Sequence, residues 1–152
     1  MTSRQEPDPR RSNTIAMLGQ AYSLLGFRIV DGVVGSGHPI KPSHSAVFAQ
    51  IRPGGSRLTE LAAGANMTPQ SMGQIVDELE QLGYVERQPD PSDRRAKLIV
   101  LTAHGRDAVD AGESAVSGLE EDLDRVLGTE GAEQLRTLLG RILAAGQPPE
   151  RP

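Results

Sequence analysis

The chain has 152 residues, of which 37% are hydrophobic and none is cysteine. This length supports one domain with its own core, and the lack of cysteine excludes disulfides, thiolate metal sites and thiol redox switches. The aromatic content of 3% argues against a surface that stacks single-stranded bases, and the formal charge of −4 leaves nucleic-acid binding open only where basic residues cluster locally.

Both ends of the chain are polar and contain prolines. Residues 1–11 (MTSRQEPDPRR) and 147–152 (QPPERP) are therefore expected to be disordered tails. The opening segment contains acids, unlike an acid-poor transit peptide, and the sequence has no apolar run of membrane-spanning length. We expect a cytoplasmic protein without a membrane partner.

The N-terminal region, residues 12–51, is predicted to hold two helices. The first extends from about Ser12 to Val34, and the segment GSGHPIKP breaks it. Its apolar residues at helical spacing are Ile15, Leu18, Tyr22, Leu25, Ile29 and Val33. Pro42 suits the first turn of a second, short helix that continues to about Ile51 and is closed by RPGG.

The region 52–101 contains two further helices, between Leu58 and Leu82, joined by a tight turn at 65–67. Asn66 tolerates left-handed backbone angles, and Thr68-Pro69 is typical of a helix cap followed by a first-turn proline. The second helix is therefore predicted to begin at Pro69, and Gly83 ends it. Its buried stripe comprises Met72, Ile75, Val76, Leu79 and Leu82, which leaves Gln70, Ser71, Gln74 and Asp77 pointing outward.

A hairpin follows, because two β-type runs, 84–87 and 96–101, flank a polar segment broken by prolines. Since proline cannot donate to a strand ladder, we expect a long tip. From Arg87 to Arg106 five basic residues accompany two acidic ones, whereas ten acids and five bases lie from Thr102 to the end. A basic tip can still bind phosphates, because salt screens distant acids beyond about 8 Å.

The C-terminal region, residues 102–146, is predicted to form a long helix that Thr102 caps, a break at Gly128-Thr129 and a last helix. The apolar stripes of the terminal helices exceed what a core of this size needs, so a second protomer is expected to cover part of them. The expected dimer interface comprises Ile15, Leu18, Leu119, Leu123, Leu135, Leu138, Leu139 and Ile142. The C-terminal leucines could instead pair within one chain.

This order of elements resembles the winged helix-turn-helix of the MarR (multiple antibiotic resistance regulator) family of bacterial transcription regulators. The most specific match is LTELAAGANMTPQSMGQIVDELEQLGYVERQPDPSDRRAKLIVLT, residues 58–102, with its threonine-proline helix start, DRR and LT. The resemblance implies a mainly α fold with a small β-hairpin wing and with N- and C-terminal dimerisation helices. It also implies a homodimer whose recognition helix, Pro69 to Leu82, enters the major groove of double-stranded DNA while the wing reaches the minor groove.

On this resemblance the DNA-binding residues are Thr68, Pro69, Gln70, Ser71 and Gln74 in the recognition helix and Arg87, Asp93, Arg94, Arg95 and Lys97 in the wing. Glutamine can pair with adenine, and arginine suits a narrow minor groove. By resemblance, Asp93 holds one wing arginine in position while another enters the groove. The chain departs from the family pattern in having no Lys or Arg between Arg57 and Arg87, so the wing is expected to supply the electrostatic grip.

The resemblance further implies release from DNA by a small, often aromatic or phenolic, effector that binds between the dimer helices and the DNA-binding region. The expected lining residues are Tyr22, Arg28, His38, His44, Phe48 and Met67. As an alternative, His44 is a half-buried histidine with internal partners and Tyr22 packs in the first helix. The three histidines lack metal-ligand spacing, so we expect no metal and no cofactor.

Two other classes of function fit the sequence less well. An enzyme would need a nucleophile with a base, paired carboxylates or a phosphate-binding glycine loop, and the sequence shows none of these, so we expect no catalytic residues. A winged-helix dimer that binds only proteins would have little reason to keep three basic residues on one tip. We therefore predict a DNA-binding repressor whose half-sites lie about 34 Å apart. Activation stays an alternative, because the position of the operator decides whether a bound regulator represses or activates.

Overall fold

A computed structural model describes residues 13–146, and this part of the chain divides into two compact units, residues 13–115 and 116–146. The predicted tails, 1–11 and 147–152, and the predicted helix start at Ser12 lie outside the described residues. The elements are α1 (Thr14–Gly35), a 3-10 turn (Pro42–His44), α2 (Ser45–Phe48), β1 (Ser56–Arg57), α3 (Leu58–Gly64), α4 (Pro69–Gln81), β2 (Val85–Asp90), β3 (Asp93–Leu101) and α5 (Ala103–Gly146). The fold is mainly helical with a small antiparallel sheet, as predicted.

The first helix begins where Asn13 caps it, because the side chain of Asn13 accepts a hydrogen bond from the N–H of Ala16 at 2.9 Å. The predicted apolar stripe is buried only toward the end of α1, at Val33, whereas Ile15 and Tyr22 remain exposed. The second helix is shorter than predicted. It starts with a 3-10 turn at Pro42 and ends at Phe48 instead of Ile51.

The helix-turn-helix forms as predicted. Asn66 has a φ of 58° between α3 and α4, and the Thr68 hydroxyl caps α4 by accepting from the N–H of Ser71 at 3.1 Å. The core beneath it consists of Val47, Leu61, Ala62, Met72, Val76, Leu79, Tyr84, Val85, Ile99 and Ala108. The prediction that Leu82 is buried is wrong: it is 43% exposed, because it caps the C-terminus of α4 immediately before the turn at Gly83, whose φ is 78°.

The sheet has three antiparallel strands in the order β1-β3-β2, one more than the predicted hairpin. The prediction of a long tip is also wrong. β2 and β3 continue until only Pro91 and Ser92 separate them, with an irregular register at Pro89/Asp90. Pro89 is tolerated because β2 is an edge strand, where a missing N–H donor breaks no inner ladder.

The hairpin is joined tightly to the start of α5. The hydroxyl of Thr102 donates to the carbonyl of Gly83 at 2.6 Å and accepts from the N–H of Gly105 at 3.0 Å, which confirms Thr102 as the helix cap. A Cβ atom at position 105 would collide with the carbonyl oxygen of Tyr84. The segment LTAHG therefore fixes where the wing ends and the helix begins.

The C-terminal unit, described from 116 to 146, has the predicted break at Gly128, where φ is 71° and ψ is 158°. The segments on either side fold against each other, since the Arg136 guanidinium lies 2.8 Å from Glu120, eight residues before the break. Ala132 is buried in this unit, whereas Val126 and Leu143 are largely exposed.

Candidate nucleic-acid interface

The first half of α4 presents an uncharged polar surface. Gln70, Ser71 and Gln74 are all exposed, as predicted from the spacing of the apolar stripe. The Thr68 hydroxyl donates to Ser71 Oγ at 2.9 Å, so the Ser71 hydroxyl keeps its own hydrogen for an outside acceptor. Pro69 occupies the first turn, where no internal hydrogen bond is lost. This surface can donate to and accept from base edges.

The wing tip carries the unpaired cations. Arg94, Arg95 and Lys97 are exposed, and within residues 13–146 the structure gives none of them an ion pair. Lys97 pairs with Pro89 and Asp93 pairs with Asp90, so the register shift leaves Arg94 and Arg95 without a partner residue on β2. Asp93 accepts from the N–H of Arg95 at 3.0 Å, so it fixes the backbone at that arginine.

Arg87 differs from the other predicted wing cations. Its guanidinium binds Asp77 at 2.6 Å and also binds Glu80, and its N–H donates to Glu80 at 3.2 Å. Burial alone would lower the pKa of Arg87, but the bonds to the two carboxylates outweigh it and the pKa is raised. The structure thus directs Arg87 toward α4, while its predicted role in binding DNA stays a prediction.

The turn of the wing is held by a cluster that sequence reasoning missed. Arg57 donates two hydrogen bonds to Oδ2 of the buried Asp90, at 2.8 and 2.6 Å, and Ser92 donates its hydroxyl and its N–H to Oδ1. The Ser92 hydroxyl, then its N–H and then Arg57 lower the pKa of Asp90 to about 2. The run Asp-Pro-Ser was a usable signal, because aspartate often binds the N–H two residues later in a turn.

Sequence reasoning also missed a second cluster, which contacts α4 through Glu78. His44 is fully buried, its Nδ1 accepts from the N–H of Lys41 at 3.1 Å, and its Nε2 lies 3.1 Å from Glu78. Because Nδ1 accepts, we assign the ring hydrogen to Nε2, which donates to Glu78. Lys41 Nζ lies 2.7 Å from the same carboxylate, and the pKa of Glu78 is lowered, first by Lys41 and then by His44.

The six predicted effector-binding residues have different surroundings in the described part of the chain, and their role stays a prediction. His44 bonds to Glu78, Met67 packs against the core, and the rings of His38 and Phe48 lie 5.8 and 5.9 Å from that of Tyr84. Tyr22 and Arg28 are exposed on α1. Of the six, only Tyr22 contributes to a cleft of about 490 Å³ between α1 and the α2–α3 segment, whose lining also includes Leu25, Ile29, Ala46 and Ala65.

The predicted dimer-interface residues differ in how far one chain covers them. Ile15, Leu138 and Ile142 are exposed. Leu18, Leu123, Leu135 and Leu139 are half-buried, and Leu119 is buried. Over the described range 13–146, no cluster of three or more histidines or carboxylates is placed to hold a metal ion, and no helix is long and apolar enough to cross a membrane.

Comparisons with known proteins agree with this geometry. Residues 38–96 match the model of the MarR family. A MarR-family transcriptional regulator from Rhodococcus sp. RHA1 is 25% identical, with a TM-score of 0.67 over 84% of this chain and 89% of that one. The transcriptional repressor CouR, solved with a 23-mer DNA duplex, is 23% identical, with a TM-score of 0.73 over 91% of this chain and 99% of that one.

The apo form of MarR from E. coli is 21% identical, with a TM-score of 0.71 over 86% of this chain and 96% of that one. These matches are to transcriptional regulators and not to enzymes. Residues 38–96 are similar to the MarR-family model, and the chain has the fold seen in MarR-family transcriptional regulators.

Proposed function

We propose that this protein is a transcriptional regulator that binds double-stranded DNA as a homodimer. One observation carries the proposal: α4 exposes Gln70, Ser71 and Gln74 without a charge among them, while Arg94 and Arg95 are exposed on the wing with no ion pair to residues 13–146. Uncharged amides and hydroxyls suit base edges, and arginines suit phosphates or a narrow minor groove. The likeness to CouR, solved with a DNA duplex, supports the same use of the fold.

Dimerisation is supported by apolar surface that a monomer would leave in water. On α1 the exposed side chains include Ile15, Met17, Tyr22, Leu24 and Phe27, and in the C-terminal unit they include Val126, Leu138, Ile142 and Leu143. Large apolar side chains exposed in such numbers are typical of helices that associate with another protomer. Light scattering at micromolar concentration is expected to give twice the mass of the 16.2 kDa chain, and a monomeric mass would count against the homodimer.

The proposed action is repression, relieved by a small aromatic or phenolic effector. Repression rests on the likeness to CouR, a transcriptional repressor, and the effector rests on the cleft of about 490 Å³, whose size and apolar lining suit a small ring compound. A panel of phenolic acids is expected to contain compounds that weaken the protein–DNA complex. Ala46→Trp, which would fill this cleft, is expected to abolish that response and leave DNA binding intact.

Electrophoretic shift with the upstream region of the protein's own gene tests DNA binding, with dimer mass checked in parallel. A salt-sensitive shift of that duplex supports the proposal. No shift at low salt by a folded dimer would instead favour a winged-helix dimer that binds other proteins. Reporter expression in cells lacking the protein then separates repression, where expression rises, from activation, where it falls.

A further inference from the structure

The recognition helix carries only negative charge. Its ionisable residues are Asp77, Glu78 and Glu80, and no lysine or arginine lies within α4. The side chains of all three carboxylates are partly exposed, at 59%, 48% and 38%. A helix of charge −3 that approaches a nucleic-acid backbone would be repelled, unless cations from elsewhere compensate its acids.

Each of the three carboxylates is bonded to a cation that another element supplies. Arg87 of β2 binds both Asp77 and Glu80, and Lys41, which precedes the 3-10 turn, binds Glu78 at 2.7 Å. His44 adds a hydrogen bond to Glu78 without adding charge in the tautomer assigned above. Two cations thus reduce the local charge from −3 to −1.

The geometry at Arg87 indicates that it serves the helix. Its side chain is 30% exposed, less than either carboxylate partner, and two of its guanidinium nitrogens are taken up by different acids one turn apart. Its own N–H is bonded to Glu80 as well. Glu80 therefore holds Arg87 by both backbone and side chain, which leaves the guanidinium little freedom to turn toward an outside anion.

We propose that Arg87 and Lys41 are positioning residues that compensate most of the negative charge of the recognition helix, so that a helix without basic side chains can enter a DNA groove. The proposal rests on the proposed DNA-binding function. Arg87 then contributes to affinity through the acids it covers rather than through a phosphate contact. Lys41 does the same for Glu78 from the opposite side of the helix.

The experiment is a rescue series, titrated against a duplex that the parent protein selects from a random pool. Arg87→Gln leaves Asp77 and Glu80 uncompensated, and we expect a roughly tenfold loss of affinity at 0.1 M salt, where charges within about 10 Å of the phosphates still act. Adding Asp77→Asn and Glu80→Gln to that variant removes the repulsion and is expected to restore affinity to within threefold of the parent. Arg87→Lys, which keeps the charge, is expected to stay within threefold.

Two controls distinguish charge compensation by Arg87 from a general loss of positive charge and from a folding defect. Arg125→Gln removes one positive charge in the C-terminal unit and is expected to change affinity less than twofold. The loss in Arg87→Gln is expected to shrink below twofold at 0.5 M salt, whereas a folding defect would persist at every salt concentration. The same test applies to Lys41, the second cation. Lys41→Gln is expected to weaken binding, and adding Glu78→Gln is expected to restore it.

The outcomes are distinct. If Arg87 contacts phosphate directly, the triple variant stays as weak as Arg87→Gln and the inference is overturned. If Arg87→Gln binds as tightly as the parent, the inference alone fails and the proposed function stands. If the folded parent binds no duplex at low salt, the proposed function fails and takes this inference with it.

Discussion

The recognition helix and the wing of this protein differ in how their charges are used. Every carboxylate of α4 is bonded to a cation from another element, whereas Arg94, Arg95 and Lys97 of the wing have no ion pair within the described part of the chain. One region presents neutral hydrogen-bonding groups and the other presents free positive charge. Under the proposed DNA-binding function, recognition of the base sequence and electrostatic attraction therefore belong to separate elements of the fold.

Removing the free charge of the wing is expected to have the largest effect. The double variant Arg94→Ala/Arg95→Ala should lose affinity roughly 50-fold at 0.1 M salt, the order expected for two lost phosphate contacts. The loss should be similar on the selected duplex and on random duplexes, because backbone contacts carry no sequence information. Filter-binding titrations measure it, with Arg141→Ala, an exposed arginine of the last helix, as the control. A loss confined to the selected duplex would assign the arginines to base reading instead.

Changing the neutral surface of α4 is expected to affect preference more than affinity. Gln74→Ala should lower the preference for the selected duplex over random duplexes by about 1–3 kcal/mol, the value of one bidentate base contact. Binding to random duplexes should change less than twofold. Gln81→Ala, at the C-terminal end of the same helix, is the matched control. An equal loss on both kinds of duplex would contradict a reading role for Gln74.

Substitution of Asp90, beside the turn of the wing, is expected to have a smaller effect that depends on pH. Asp90 has a pKa lowered from 3.8 to about 2, so its ionised form stabilises the fold above pH 4, and that stabilisation is lost as the pH falls toward 2. Asp90→Asn lacks this contribution at every pH. The difference in melting temperature between parent and variant should therefore be widest above pH 4 and should close toward pH 2. Asp107→Asn, exposed on α5, should show no such dependence, and a gap that stays constant with pH would contradict the assignment.

The elements that sequence predicted correctly depend on local signals. Asn66 in the turn, Thr68 before Pro69, Thr102 before α5 and the break at Gly128 each act through a residue's own backbone preference or through a partner three residues away. Such preferences can be read without knowing the fold. The order of helices and the exposed face of α4 followed from the same signals and from apolar spacing.

The features that sequence did not predict depend on distant partners. The strand β1 exists because Ser56 and Arg57 pair with Ile99 and Leu98, and Arg57 also binds Asp90 beside the turn of the wing, 33 residues away. Arg87 was grouped with the free wing cations because nothing in the local sequence identifies Asp77 and Glu80 as its partners. The proposed effector residues came from a family arrangement, and this chain uses His44 internally.

The salt dependence of DNA binding tests most directly whether the wing carries the electrostatic affinity. The slope of log K against log salt concentration should fall in magnitude by about 1.8 in Arg94→Ala/Arg95→Ala, or roughly 0.9 for each lost phosphate contact. Gln74→Ala should leave the slope of the parent unchanged. An unchanged slope in the wing variant, or a slope that falls with Gln74→Ala instead, would contradict the division between a charged wing and a neutral recognition helix.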